Sequence, residues 1–282
     1  MILKRTRLTV IALLAIILPS LTQAADAKPV RPGSDIIGGS PAATNEFPFM
    51  VAVLDETLGG TDYNKQFCGG SLIAPSWVLT AGHCAEGMRA DDLAVAVGRT
   101  LLNSNQGERH DVAAGGVFIH PQYDSRSLAH DAALLRLTTP VSATIAPLHL
   151  ATTPPVAGTG DDLFEQAGTM LTVIGWGTVS TKKPSYPNDL RKVDVPVVSD
   201  ITCAGSYGSS LDAPTMVCAG APNIDSCYGD SGGPLFSRNG GSPVQVGIVS
   251  WGSGCAKRRF PGVYSEVNNP SIRTWITTTA GV

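Results

Sequence analysis

The chain has 282 residues, of which 43% are hydrophobic and only 15% are charged. This length allows one large domain or two small ones, with enough surface to bury a core. The 31 glycines and 20 prolines suit many short strands joined by turns. The formal net charge is −3 and no basic run occurs, which argues against nucleic acid as a partner.

Residues 1–24 have the layout of a cleavable secretion signal. Three basic residues precede an eleven-residue apolar run (8–18), and the segment ends in the small residue Ala24. Eleven residues are well short of the roughly 20 that a membrane-spanning helix needs, and no other apolar segment is long enough. We therefore predict a secreted protein, extracellular or periplasmic in a bacterium, with no membrane attachment after signal removal. Losing the three basic residues changes the net charge from −3 to −6.

Residues 25–35 are polar and proline-rich, which is typical of a linker or pro-segment. Beyond them, short apolar stretches with alternating or β-branched residues predict β-strands, because turn residues bound nearly all of them. These stretches are residues 49–54, 71–80, 92–98, 115–120, 132–137, 170–177, 193–198, 234–237, 244–252 and 262–267. The sequence therefore predicts an all-β fold with about a dozen strands.

Two further segments have different patterns. Residues 149–168 contain a Pro-Pro pair and several glycines, which predicts a connector. In residues 268–280, Ile272, Trp275 and Ile276 follow the spacing i, i+3, i+4, which predicts a short C-terminal helix.

The chain has an even number of cysteines, which in an exported protein predicts disulfides. Six cysteines allow 15 pairings, so their spacing alone does not choose among them. Zinc binding by the cysteines is the alternative to disulfides. However, no pair has CxxC spacing and no histidine lies near the last four cysteines. We therefore predict no metal at the cysteines Cys68, Cys84, Cys203, Cys218, Cys227 and Cys255.

The stretch DSCYGDSGGP, residues 225–234, places a serine between small residues. Glycines allow a tight turn there and leave the Ser231 hydroxyl open to a substrate. The N–H groups of Gly229 and Ser231 can converge on a developing oxyanion. A serine hydroxyl is a poor nucleophile at neutral pH, so it needs a nearby base and a group that orients that base.

The order of the histidines restricts which fold can supply that base. The stretch GDSGG also fits the nucleophile elbow of α/β-hydrolases, in which the histidine follows the serine. Here every histidine precedes Ser231, at positions 83, 110, 120, 130 and 149. His83 in LTAGHC and Asp131 in HDAALLRL are the candidate base and orienting acid. Taken singly, each also fits a structural role, as a turn histidine and a strand-start cap.

Several motifs in fixed order resemble the trypsin/chymotrypsin family of serine endopeptidases. They are IIGG (36–39), LTAGHC (79–84), DAALL (131–135), DSCYGDSGGP (225–234), SWGSGC (250–255) and PGVY (261–264). The resemblance covers residues 36–282 and implies two six-stranded antiparallel β-barrels, about 36–148 and about 149–282, with the active site between them. A catalytically dead binding homologue is the alternative, but it requires a lost catalytic residue, and none is lost.

The resemblance also implies a role for each candidate residue. Ser231 attacks the scissile carbonyl, His83 acts as base and then acid, and Asp131 holds the imidazole in the required tautomer. The N–H groups of Gly229 and Ser231 form the oxyanion hole. The implied disulfides are Cys68–Cys84, Cys203–Cys218 and Cys227–Cys255.

Specificity follows from Asp225, which the resemblance places at the base of the substrate pocket. A buried carboxylate is unfavourable unless it is paired, and a substrate Arg or Lys supplies the cation. A buried structural aspartate is the alternative. The expected substrates are therefore proteins or peptides containing Arg or Lys. The remaining substrate-binding residues are Ser226, Tyr228, Ser250, Trp251, Gly252 and Gly262.

The resemblance implies a zymogen in which Asp230 pairs with the α-amino group released at Ile36. The activating cut then follows Asp35, where most relatives have Arg or Lys. The only basic residues of the pro-segment, Lys28 and Arg31, are each followed by proline. We therefore expect a second protease to activate the chain.

Some relatives bind calcium in a loop that corresponds here to residues 98–120. Arg99 and Arg109 stand where the ligand carboxylates are expected, and guanidinium groups repel a hard cation. We predict no calcium in this loop, no cofactor, and a monomer.

Overall fold

The computed structural model describes residues 36–152, 164–239 and 241–282. The predicted signal (1–24), the predicted pro-segment (25–35) and part of the predicted connector lie outside the described residues. None of the helices within the described ranges is both long enough and apolar enough to span a bilayer.

Strands make up most of the regular structure in these ranges. In chain order they are β1 (Ser40–Pro41), β2 (Met50–Asp55), β3 (Gln66–Ala74), β4 (Trp77–Thr80), β5 (Leu93–Val97), β6 (Glu108–Ile119), β7 (Ala133–Leu137), β8 (His149–Leu150), β9 (Met170–Gly175), β10 (Arg191–Val198), β11 (Met216–Ala219), β12 (Pro234–Ser237), β13 (Val244–Trp251) and β14 (Gly262–Glu266). The α-helices are α1 (Asp62–Lys65), α2 (Gly82–Ala85), α3 (Asp200–Tyr207) and α4 (Pro270–Ala280). Single 3₁₀ turns occupy Ala90–Asp92, Gly208–Ser210 and Ala213–Thr215.

The first barrel closes in the strand order β2-β3-β4-β7-β6-β5, and every pairing is antiparallel. Strand β2 pairs with β3 on one side and with β5 on the other, so all its backbone groups have ladder partners. Its first five residues are fully or almost fully buried because one face fills the barrel and the other is covered. Part of that cover comes from the second barrel, since Phe49 of the first contacts Phe236 of the second edge to face, with ring centroids 5.4 Å apart.

The second barrel closes through β9, which pairs with both β12 and β10. Its six strands follow the order β9-β10-β11-β14-β13-β12, and all six pairings are antiparallel. Two short strands extend this sheet: β1 pairs with β10, and β8 pairs in parallel with β13. The prediction of two six-stranded barrels is therefore confirmed, and the first strand of the described chain joins the second barrel.

All ten apolar stretches contain a strand, and the C-terminal helix is confirmed as α4. The pattern predicted less than the structure contains: the two-residue strands β1 and β8, the one-turn helices α1 and α2, and also β11 and α3 were missed. Strand β11 has only four residues and α3 has a weak apolar face, so neither gives a clear periodicity. Helix α3 begins at a serine cap, in which Ser199 Oγ accepts from Thr202 N.

Three disulfides join Cys68 to Cys84, Cys203 to Cys218, and Cys227 to Cys255. These are the pairs that the resemblance implies. The first lies in the first barrel and the other two lie in the second. All six cysteines are used, so no described cysteine is free.

Candidate active site

Strand β4 delivers His83 to the edge of the first barrel. The strand ends at Thr80, and the one-turn helix α2 follows it directly. The disulfide from the neighbouring Cys84 ties this turn to Cys68 on β3. Gly82 leaves room at the start of the turn, because a Cβ there would lie 2.9 Å from the ring of Tyr123 and 3.1 Å from Asp131 Oδ1.

Asp131 is completely buried and accepts three hydrogen bonds. Its Oδ1 accepts from the backbone N–H of His83 at 2.9 Å, and its Oδ2 lies 2.8 Å from His83 Nδ1. The hydroxyl of Ser250 donates to Oδ2 at 2.5 Å. The ring of His83 is therefore held with Nδ1 toward the acid, which leaves Nε2 facing away from it. Ser250, predicted to bind substrate, lies at the cavity wall but directs its hydroxyl to Asp131.

Ser231 lies where the two barrels meet backbone to backbone. Gly69 N of the first barrel donates to Ser231 O at 2.7 Å. A Cβ on Gly232 would lie 2.2 Å from Thr80 Oγ1, so only glycine permits this approach. The serine therefore comes to the same edge as His83. Within the described residues no hydrogen bond joins Ser231 Oγ to His83 Nε2, and such bonds are commonly long before substrate binds.

Two backbone donors beside the serine point away from the protein's own acceptors. The N–H groups of Gly229 and Ser231 donate to no atom of the described residues. Their turn is held by other bonds: Tyr228 O accepts from Thr178 N at 2.8 Å, and Asp230 N donates to Cys227 O at 3.0 Å. Two adjacent free donors on a fixed turn are suited to bind an oxyanion.

A cavity of about 210 Å³ opens beside Ser231 and ends at Asp225. Asp225 is 2% exposed, and its Oδ2 accepts from Ala256 N at 2.8 Å. Its Oδ1 has no hydrogen-bond partner in the described part of the chain. Burial raises the pKa of Asp225 to about 7, and the nearby Asp230 acts in the same direction. A cationic group at Oδ1 would lower that pKa and satisfy the unpaired oxygen.

The cavity wall has the shape that a long side chain requires. A Cβ on Gly262 would lie 2.6 Å from Asp225 Oδ1, so any larger residue would cover the carboxylate. At Gly252 a Cβ would lie 3.3 Å from Gly254 O, and this glycine lines the cavity. Trp251 packs edge to face on Tyr207 with ring centroids 4.7 Å apart, and this contact fixes one wall of the cavity.

Two other predicted pocket residues differ in exposure. Ser226 lies deep in the pocket, and its hydroxyl is 3.2 Å from the buried hydroxyl of Tyr264. Tyr228 also lines the cavity but is 65% exposed. All the predicted substrate-binding residues except Gly262 line one cavity, which extends from the serine to the carboxylate of Asp225.

The sequence is similar to those of known proteins. Residues 36–276 match the family described as Trypsin. A trypsin from Saccharopolyspora erythraea is 39% identical over 234 residues, which cover 82% of this chain and 93% of that protein. Trypsin-1 from Astacus astacus is 36% identical, covering 83% and 95%, and human serine protease 1 is 33% identical, covering 87% and 90%. The chain belongs to the trypsin family of serine proteases.

As a member of this family the protein is an endopeptidase, and its substrates are proteins.

Two groups of this protease, the carboxylate of Asp230 and the side chain of Ile36, are completely buried. Asp230 is completely buried, and its two oxygens accept from Gly177 N and Cys227 N, both at 2.8 Å. Burial raises the pKa of Asp230 to about 7, although its two backbone hydrogen bonds act in the opposite direction. The side chain of Ile36 is also fully buried, in the core of the second barrel.

One histidine–cysteine cluster of this protease has the geometry of a metal site but not its chemistry. Ligand atoms of Cys68, His83 and Cys84 lie within 4.8 Å of one another. The two sulfurs are bonded to each other, so neither is available as a thiolate ligand.

The loop predicted to lack calcium is held by ion pairs. Arg99 is 8% exposed and donates to Asp62 Oδ2 at 2.6 Å. Arg109 pairs with Glu56 and, at 3.4 Å, with Asp62 Oδ1. The carboxylates that pair with both arginines, Glu56 and Asp62, lie in the segment between β2 and β3.

Sequence reasoning missed several residues at this protease site. Ala256 holds the pocket carboxylate through a backbone N–H, Tyr264 contacts Ser226, and Gln66 donates to Gly229 O at 2.9 Å. No sequence signal marks a backbone donor or a glutamine contact across the two barrels. Tyr264 stands in the motif PGVY, which was recognised, but its contact was not predicted.

Proposed function

We propose that this trypsin-family protease cuts peptide bonds after Arg or Lys by a Ser231–His83–Asp131 triad. His83 Nε2 takes the proton of Ser231 Oγ as that oxygen attacks the scissile carbonyl. Asp131, bonded to His83 Nδ1 at 2.8 Å, stabilises the imidazolium that forms. The N–H groups of Gly229 and Ser231 receive the developing oxyanion. His83 then returns the proton to the leaving amine.

The observation that carries the specificity is the unpaired, buried Oδ1 of Asp225 at the end of the cavity. An unpaired carboxylate oxygen in a closed site is unfavourable, and its binding energy becomes available to a ligand that supplies the missing donors. A guanidinium or ammonium on a long side chain can reach that oxygen, because Gly252 has no side chain in the cavity wall and Gly262 leaves Oδ1 uncovered. A neutral side chain would leave the carboxylate desolvated and unpaired.

The test uses processed enzyme that begins at Ile36 and a series of tripeptidyl 4-nitroanilides. The series differs only in the residue before the scissile bond: Arg, Lys, norleucine or Phe. We expect turnover with Arg and Lys and almost none with norleucine, which has the length of Lys without its charge. Ser231→Ala is the control for contaminating protease. Equal rates for Lys and norleucine would contradict the proposal.

We further propose that the chain is made as a zymogen. The buried carboxylate of Asp230 needs a cation, and cutting before Ile36 creates an α-amino group on a residue that is itself buried in the second barrel. That amine pairs with Asp230 and fixes the turn that carries Gly229 and Ser231. In the uncut chain Ile36 offers an amide, which has no charge.

The cut falls after Asp35, so an activating protease with another preference supplies it. The signal layout of residues 1–24 supports secretion, to the cell exterior or a bacterial periplasm. The expected partners are this activating protease and substrates with Arg or Lys, while the protein itself is a monomer that binds no nucleic acid.

A further inference from the structure

A short segment of the first barrel contacts the second barrel beside the oxyanion turn. We call residues 62–66 the strap; it consists of α1 and the first residue of β3. Tyr63 Oη donates to the backbone O of Tyr186 at 2.8 Å. Gln66 Nε2 donates to Gly229 O at 2.9 Å. Both acceptors belong to the second barrel, so the strap spans the boundary between the two barrels.

The contact with Gly229 acts on a residue that has little conformational restraint of its own. Gly229 has φ +97°, in the region that favours glycine, and glycine moves easily among backbone conformations. The Gln66 amide fixes the direction of the Gly229 carbonyl. The N–H of the same residue is left free within the described chain. Fixing the carbonyl of Gly229 restricts its backbone conformation and therefore the direction in which its N–H points.

The second strap contact supports the same turn from its other side. A Cβ placed on Gly229 would lie 3.4 Å from the ring of Tyr186, so this ring packs directly against the glycine. The loop carrying Tyr186 is held by the hydroxyl of Tyr63. Tyr186 is 47% exposed, so burial alone does not fix its position.

The strap is itself anchored in the first barrel. Asp62 accepts from Arg99 at 2.6 Å, and the same guanidinium donates to Leu102 O at 2.9 Å and to Gln106 O at 3.0 Å. The ion pair is part-buried, and Arg109 lies 3.4 Å from the other oxygen of Asp62, so several bonds must break together before Asp62 moves. The strap therefore has a rigid base from which it holds the neighbouring barrel.

We infer that the strap positions the oxyanion turn, with Gln66 orienting Gly229 directly and Tyr63 holding the loop that packs against it. The inference rests on the proposed role of the Gly229 N–H as an oxyanion donor. Neither side chain touches the reacting atoms, so both are positioning residues. Since the oxyanion exists only in the transition state and the tetrahedral intermediate, losing the strap contacts should weaken those states more than substrate binding.

The test compares two ligands of the processed enzyme that differ only at the reacting carbon. Ser231 Oγ adds to the carbonyl carbon of a peptidyl aldehyde and gives its proton to His83, so the former carbonyl oxygen becomes an oxyanion in the oxyanion hole. The corresponding alcohol binds the same cleft without forming an adduct. Gln66→Met keeps the length but removes the bond to Gly229 O and a second, local bond to Cys68 O at 3.2 Å. Because only the first bond reaches the oxyanion turn, kcat and aldehyde affinity should each fall about 3- to 10-fold, the worth of one hydrogen bond. Alcohol affinity and KM should not change.

Three further variants separate positioning from a general structural effect. Gln66→His retains an N–H donor and should recover much of the lost kcat, and Tyr63→Phe should give a smaller loss in the same direction. Lys65→Met changes the same segment but breaks only the pair with Glu56, so aldehyde and alcohol affinities should both stay unchanged. An equal loss of both affinities in Gln66→Met, or no change in either, would overturn the inference.

The probes carry whichever residue the wild-type enzyme prefers before the scissile bond. A failure of the Arg/Lys proposal therefore changes the side chain of the probes and leaves this comparison intact.

Discussion

Gly232 of the second barrel approaches Thr80 of the first so closely that a Cβ would lie 2.2 Å from the threonine hydroxyl. Thr80 ends the strand that leads to His83, and Gly232 follows Ser231 in the chain. The spacing between nucleophile and base therefore depends on a residue without a side chain. The glycines of the GDSGG motif do more than make a turn, since Gly233 also lies against Gly69.

Gly232→Ala should therefore lower both stability and kcat. The alanine would take φ +80° and would also clash with Gly69 O at 2.5 Å. Gly115→Ala is the matched control, because Gly115 has φ +65° and nothing within 4 Å of the new Cβ. We expect Gly115→Ala to lose about 1 kcal/mol of stability with normal kcat, and Gly232→Ala to lose more and to be nearly inactive. Equal effects in thermal melts and kinetics would contradict this reading.

The motifs predicted His83, Asp131 and Ser231 because each lies in a short local pattern with recognisable turn chemistry. What holds those residues in place was far less predictable. Gln66 and Gly229 are 163 positions apart, and Ala256 contacts Asp225 through a backbone N–H that any residue type supplies. Such contacts depend on how the two barrels and their loops pack, and no local sequence pattern encodes them.

Replacing the pocket carboxylate should abolish the preference for basic residues. Asp225→Ser keeps a small polar group but cannot pair with a substrate cation. Losing one partner of a buried ion pair costs about 3–5 kcal/mol, which is roughly a 150- to 5,000-fold loss of kcat/KM toward the Arg anilide. Activity toward norleucine should be retained or should rise. An equal loss of kcat/KM toward the Arg and norleucine anilides would indicate a structural role for Asp225.

Binding of benzamidine, a small aromatic cation, should weaken as the pH falls through 7. The pKa of Asp225 is raised to about 7 by burial, and the amidinium binds the ionised form. Below pH 7 the dissociation constant should rise about tenfold per unit, because binding must then expel a proton. Calorimetry between pH 5 and pH 8 measures this, and a flat profile would contradict it.

The raised pKa of Asp225 also predicts how the free energy of unfolding changes with pH. The folded protein without ligand retains the Asp225 proton to a higher pH than the unfolded chain, whose aspartate titrates near its ordinary value of 3.8. This contribution to stability is full below that value and is lost as the pH rises to about 7. Benzamidine offsets the loss by pairing with the carboxylate. The rise in Tm that it produces should therefore be larger at pH 8 than at pH 5.

Calcium should not stabilise this protein, because Arg99 occupies the loop with a buried ion pair. We expect the same Tm in calcium and in a chelator, and a rise with calcium would contradict us. Arg99→Met should lose about 1–3 kcal/mol, since it breaks the part-buried pair with Asp62 and leaves the carbonyls of Leu102 and Gln106 without this donor. Arg89→Met is the matched control: its pair with Asp91 is exposed on both sides, and its removal should leave Tm unchanged.

If the proposed specificity holds, the purified precursor should not activate itself at the junction before Ile36, because that junction carries Asp35 where the proposed pocket takes a basic residue. Incubated alone, it should produce no new N-terminus reading IIGG. Asp35→Arg supplies the missing cation and should activate itself with a lag followed by acceleration, since each product molecule is a catalyst. The same change combined with Ser231→Ala should stay uncut. Rapid release of IIGG from the unaltered chain would show that its specificity includes aspartate, or that the junction is cut by another route within the molecule.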